Sequence, residues 1–105
     1  MSLNMEKTFD SENKIWNLSI CGEVDIYTAN ELKEELSTMI TQNICAIVIQ
    51  GKELDYIDST GLGILIGSLK RLKENQKDIY IKNAKPNVKK IFNITGLYKI
   101  FKVEG

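Results

Sequence analysis

The sequence predicts a single α/β domain built on a mixed, mostly parallel sheet of four to five strands. Three observations carry that expectation. Strand, strand, then helix and strand in alternation is the order of hydrophobic periodicities, the pattern of a parallel sheet with right-handed crossovers. Cys45-Ala46-Ile47-Val48-Ile49 is a near-continuous apolar run, which suits a central strand with parallel neighbours. A chain of 105 residues is large enough for one modest core.

The elements follow in order. Glu6 to Phe9 suits an edge strand. Ile15 to Cys21 alternates, with Trp16, Leu18 and Ile20 on one face and Asn17 and Ser19 on the other. Asp10-Ser11-Glu12-Asn13 is a turn between them, so the two strands form an antiparallel pair. Gly22-Glu23-Val24-Asp25 is then expected to leave the sheet. Thr28 starts a helix, Glu31 completes a capping box, and Tyr27 is placed to staple onto Leu32. Ala29, Leu32, Leu36, Met39 and Ile40 share its inner face, while Lys33, Glu34 and Ser37 look outward.

A strand over Cys45 to Gln50 leads to the junction Tyr56-Ile57-Asp58-Ser59-Thr60-Gly61-Leu62-Gly63, which opens a helix to about Asn75. Ser59 sits where a hydroxyl can cap the unpaired donors of the first helical turn. Leu62, Leu65, Ile66, Leu69 and Leu72 make the buried stripe of that helix. Thr60, Gly63, Ile64, Gly67 and Arg71 make the opposite one. Two glycines in a helix interior cost about 1 kcal/mol each relative to alanine. They fit either close packing against a neighbour or a smooth docking face. Ile79-Tyr80-Ile81 is the next strand. Pro86 opens a third helix carrying Val88, Ile91 and Phe92 inward. Gly96 is its left-handed C-terminal residue, with Leu97 folding back towards Phe92. Tyr98 to Val103 reads as a last short strand or an irregular tail.

Composition narrows the function. Apolar residues make up 43% and charged residues 27%, ordinary for a soluble globular domain. No apolar run has the length of a membrane span and no leader opens the chain, so membrane insertion is not expected and a cytoplasmic location is. Met1-Ser2-Leu3 reads as a cloning scar and Glu104-Gly105 as a second. The domain is therefore expected over 5–103, with 1–4 and 104–105 as ends. Net charge is zero, yet residues 1–58 hold 4 of the 14 basic and 11 of the 14 acidic side chains. That fits solvated faces or a polarised surface that orients a partner protein. Direct nucleic-acid binding is disfavoured, because the basic residues are not interleaved with a row of stacking aromatics. Cys21 and Cys45 lie in apolar strands and read as buried, reduced thiols. The chain has no histidine, which removes Ser-His-Asp hydrolysis and histidine metal ligands, and two cysteines alone fall short of a zinc site.

The chemistry then concentrates at Ser59. A hydrolase nucleophile elbow needs glycine two residues earlier, where Ile57 stands, and a histidine partner. A phosphate cradle is missing too, because Gly61 and Gly63 lack the lysine and spacing of a Walker loop. What remains is an N-cap that can also accept a phosphoryl group.

Asp58-Ser59-Thr60-Gly61-Leu62-Gly63, with Gly22-Glu23-Val24-Asp25 upstream and Thr95-Gly96-Leu97 downstream, resembles the STAS family, and within it the bacterial anti-sigma factor antagonists. The resemblance covers roughly Met5 to Val103. It implies helices mainly on one face of the sheet. Relatives often carry a further C-terminal helix, before which this chain stops. The resemblance also implies a non-enzymatic binding protein with no cofactor of its own. Ser59 matches the serine phosphorylated by a cognate anti-sigma factor, a serine kinase that supplies ATP and magnesium, and a protein phosphatase would reverse the modification. Asp58, Thr60, Gly61 and Gly63 match the rest of the motif, and Asp25 matches the acidic residue of the loop beside the acceptor. With the exposed stripe Ile64, Gly67 and Arg71, these are the expected partner-binding residues. The unphosphorylated form would bind the anti-sigma factor and free a sigma factor. A STAS subunit of a membrane transport complex or of a stress-signalling assembly is the alternative.

Overall fold

An antiparallel hairpin starts the domain. In the computed structural model, which describes residues 3–104, β1 (Asn4–Asp10) pairs with β2 (Ile15–Val24) from Asn4↔Cys21 to Asp10↔Ile15. The Asp10 carboxylate accepts the backbone N–H groups of Glu12 and Asn13, each at 3.1 Å, and the Asn13 amide at 2.8 Å. These bonds, led by the Asn13 side chain, hold the Asp10 carboxyl below its usual range. Phe9 and Trp16 meet across the pair with ring centroids 4.9 Å apart. The Trp16 indole donates to the Asn43 carbonyl at 3.0 Å, tying β2 to the end of α1 (Ala29–Gln42).

β3 (Ala46–Gln50) lies between β2 and β5 (Ile79–Lys82), parallel to both, and β6 (Lys102–Glu104) adds a parallel edge. The apolar run at Ile47-Val48-Ile49 is therefore central, as its composition requires. β4 (Leu54–Ile57) pairs with β2, also in parallel. Among the described residues there are six strands, more than the four to five expected. β4 escapes sequence reading because only its ends, Leu54 and Ile57, are buried, with Asp55 and Tyr56 exposed between them. No alternation is left to detect.

The reading that Gly22 to Asp25 leaves the sheet is corrected at the same place. β2 continues to Val24 through a register shift between Gly22 and Glu23, with Gly22 at φ +117°. That backbone conformation is open to glycine. Beyond the shift β2 pairs with β4, and this carries the end of β2 alongside the junction that starts α2 (Ser59–Lys73).

Trp16, Leu18, Ile20, Ile47, Ile49, Ile79 and Ile81 form one buried cluster with the inner faces of α1, α2 and α3 (Pro86–Thr95). Burying each such side chain stabilises the fold by about 1.5–3 kcal/mol. On the other side of the sheet Asn17, Ser19, Lys82 and Lys102 are half-buried or exposed, so the helices cover one face. α1 buries Ala29, Leu32, Leu36, Met39 and Ile40, all five of its expected residues. α2 buries Leu62, Leu65, Leu69 and Leu72, with Ile66 half-buried, and ends at Lys73, short of Asn75. Pro86 is at the start of α3 and Gly96 follows it at φ +76°. A short 3-10 turn, Leu97–Lys99, then lets Phe101 meet Phe92 edge-on at 5.5 Å.

Three local expectations fail. Thr28 makes no capping bond into α1, and Glu31 instead accepts the backbone N–H of Leu3 at 3.2 Å, so no capping box forms. Tyr27 is 82% exposed and does not staple onto Leu32. Cys21 is exposed, because it lies on the uncovered face of the sheet, while Cys45 is buried. Beside the expected domain span 5–103, Leu3 is buried and Asn4 and Glu104 are paired in strands. Met1, Ser2 and Gly105 of the expected scars lie outside the described residues.

Candidate functional site at the start of the second helix

The site is made by the parallel pairing of β2 and β4. Val24 and Ile57 are in register, and the Asp58 N–H donates to the Val24 carbonyl at 3.1 Å. Asp25 and Asp58 therefore leave the carboxyl ends of two adjacent parallel strands, where open α/β sheets place their ligands. One turn of loop joins Asp25 to α1, and Asp58 leads directly into α2.

Asp58, not Ser59, caps α2. Its Oδ1 accepts the N–H groups of Thr60 at 2.9 Å and Gly61 at 3.1 Å, and its carbonyl accepts Leu62 N–H at 2.9 Å. Aspartate is as good an N-cap as serine, and its longer reach lets it satisfy two donors here. Ser59 becomes the first residue of the helix proper, exposed, and among the described residues no hydrogen bond engages its hydroxyl. Thr60 is exposed beside it.

Asp25 has a turn-forming role. Its Oδ1 accepts the N–H groups of Tyr27 at 2.9 Å and Thr28 at 3.2 Å, and its carbonyl accepts Ala29 N–H at 2.8 Å. Thr28 is buried, and its hydroxyl donates to the Glu23 carbonyl at 2.8 Å and accepts the Asp25 N–H at 3.0 Å. Both ends of the loop are thus held by side-chain bonds to backbone.

Gly61 parts from the other glycines. An added Cβ there would stand 2.6 Å from Val24 Cγ1 and 2.7 Å from Ile57 Cγ1, so Gly61 is a contact that lets α2 lie on the ends of β2 and β4. It is buried and corrects the expectation of a surface role. At Gly63 and Gly67 a Cβ would meet nothing within 4 Å among the described residues, so no neighbouring element there packs closely on either.

Gly63, Gly67 and Arg71 instead lie exposed along one stripe of α2, while Ile64, expected on the same open stripe, is half-buried against the core. With Ser68, and with Lys33 and Ser37 of α1, they line a groove of about 340 Å³. Arg71 reaches across it to Ser37 Oγ at 3.4 Å. Ser59 and Arg71, twelve residues apart, stand about 18 Å from each other along the axis. The expected residues thus form two adjoining parts, a serine tip with Asp25, Asp58 and Thr60, and a helix groove. Lys33 and Ser37 were legible as outward residues, but not as the second wall of a groove. The exposed Ile26, Tyr27 and Tyr56 near the tip were missed. Their one sequence signal is large apolar residues in a turn and a strand end.

Among the described residues no helix is long and apolar enough to cross a membrane. The STAS domain family model matches residues 7–105. A curated relative from Staphylococcus aureus (strain NCTC 8325 / PS 47), an anti-sigma-B factor antagonist, is 37% identical over 103 residues, covering 98% of this chain and 94% of the relative. In fold, the chain is similar to the anti-sigma factor antagonist SpoIIAA in its unphosphorylated form, with a TM-score of 0.82 at 21% identity over 97% of this chain and 89% of that one. It is also similar to the phosphorylated form of the Bacillus cell fate determinant SpoIIAA, with a TM-score of 0.74 at 20% identity over 97% and 92%. A family match over nearly the whole chain, a relative aligned over nearly its whole length and the strand-to-helix junction just described agree: the chain belongs to the STAS domain family and is of the anti-sigma factor antagonist type.

Proposed function

We propose that this protein is a phosphorylation-switched antagonist that, unphosphorylated, sequesters an anti-sigma factor serine kinase in the cytoplasm and so frees a sigma factor. The observation that carries the reading is the free hydroxyl of Ser59. Because Asp58 does the capping, the serine is fixed by helical backbone yet its oxygen is uncommitted and exposed. A kinase gains access to it without breaking a structural bond. The protein supplies no cofactor, and ATP and magnesium come with the kinase.

The same arrangement explains how phosphate would act. Phosphoserine brings a charge of about −1.5 to −2. A helix N-terminus ordinarily stabilises such a charge through free N–H groups and its dipole, the latter by about 0.3–1 kcal/mol. Here the N–H groups of Thr60 and Gly61 are already bonded to Asp58, whose carboxylate also repels the newcomer. Repulsion between a phosphate of that charge and the Asp58 carboxylate about 5 Å away in water is roughly 1–2 kcal/mol, so the net local effect is a small repulsion. The fold is left alone and the charge stays outward. A partner seated on Ser59 must then desolvate it unpaired, a cost of several kcal/mol. Affinity is lost until a phosphatase removes the group.

Phosphorylation by the cognate anti-sigma factor with ATP tests this directly. Wild type should gain one phosphoryl group and Ser59→Ala none, while the variant still binds. Phosphate mapped by mass spectrometry to Thr60 or Ser68 would refute the assignment.

A further inference from the structure

Two large apolar side chains stand side by side in the β2–α1 loop, with Ile26 65% and Tyr27 82% exposed. They are the most exposed large hydrophobics at this end of the molecule. Their backbone is not loose. Asp25 Oδ1 holds the Tyr27 N–H, the buried Thr28 hydroxyl bridges Glu23 and Asp25, and Ala29 N–H closes on the Asp25 carbonyl. The loop is therefore preorganised, with little entropy left to lose when something packs on it.

We propose that Ile26 and Tyr27 form an apolar anchor that seats the serine kinase. They would set how tightly the unphosphorylated protein is held, without taking part in phosphoryl transfer. The inference rests on the proposed function and adds an anchor to it that is separate from the serine. Geometry decides what covers these residues. A kinase that reaches the Ser59 hydroxyl must place its surface on the end of the β2–β4 pair. An ordinary interface of about 800 Å² per partner is a disc about 16 Å in radius. Val24 is paired with Ile57, and neighbouring strands lie about 4.8 Å apart, so the loop starting at Asp25 falls well inside that disc. Tyrosine on a rigid backbone is a favoured hot-spot residue, because it buries a large area with few torsions to fix.

Steady-state phosphorylation by the cognate anti-sigma factor kinase, with this protein as the varied substrate, tests the anchor. Tyr27→Ala and the double variant Ile26→Ala/Tyr27→Ala should raise KM by about tenfold or more. The maximal rate and the melting temperature should not change. Tyr27→Phe should stay within about twofold of wild type, since the contact is apolar. Tyr98→Ala, an exposed tyrosine beyond α3, is the control and should change nothing. A KM unchanged in the double variant overturns the anchor, and so does a fall in maximal rate at constant KM. Failure of wild type to take phosphate on Ser59 would instead refute the underlying proposal, so the two failures are distinguishable.

Discussion

Alanine at position 61 should destabilise the protein, whereas alanine at 63 or 67 should stabilise it. The same substitution in the same helix takes opposite signs because the surroundings differ. At 61 the new Cβ would lie 2.6 Å from Val24 Cγ1, 2.7 Å from Ile57 Cγ1 and 3.1 Å from Ile57 Cδ1. Both neighbours are β-branched, essentially fully buried and paired with each other across β2 and β4, so neither can turn aside. Overpacking of this kind costs about 1–3 kcal/mol. The better helix propensity of alanine offsets up to about 1 kcal/mol of it. At Gly63 and Gly67 an added Cβ would meet nothing within 4 Å among the described residues, and only the propensity gain of about 0.5–1 kcal/mol remains. The two ends of the series should therefore lie about 2 kcal/mol apart. Urea unfolding followed by Trp16 fluorescence reads this, since Trp16 is the only tryptophan and is buried. With a slope of about 1–3 kcal/mol/M, midpoints should separate by roughly 1 M. Equal midpoints for Gly61→Ala and Gly67→Ala would show that α2 does not rest on the β2–β4 ends as described.

Three further outcomes are expected. Asp58→Ala should cost about 1–2 kcal/mol of stability through loss of the helix cap, while Asp58→Asn, which keeps an accepting oxygen, should cost much less; equal losses in urea titrations would argue against capping by Asp58. Gly67→Arg, at an exposed position, should leave the fold intact in circular dichroism but weaken anti-sigma factor binding by a few kcal/mol if the groove is at the interface core. Unchanged affinity by calorimetry would confine the docking surface to the serine tip. Phosphorylation should shift amide NMR resonances near Asp25 and from Asp58 to Gly63, with little change in melting temperature. Widespread shifts through α3 would show a conformational switch instead.

What the sequence determined by itself is what local periodicity and residue chemistry encode. The three helices, the central strand at Ala46–Gln50, the hairpin, Pro86 at the start of α3 and left-handed Gly96 were all legible. Each depends on residues within a turn or two of one another, where spacing and backbone preference act directly. The junction motif and the absence of histidine narrowed the chemistry to Ser59 in the same way. Tertiary structure decided the rest. Asp58 and Ser59 are both good caps, and which one caps follows from the pairing of β4 with β2 that anchors Asp58 through the Val24 carbonyl. The end of β2 and the whole of β4 stabilise each other although all of α1 and β3 lie between them in the chain, a non-local contact that leaves no period to read. Gly61 and Gly63 look alike in sequence, yet one sits under Val24 and Ile57 and the other faces open space. Close contact is a property of two surfaces, and a single stretch of sequence carries only one of them.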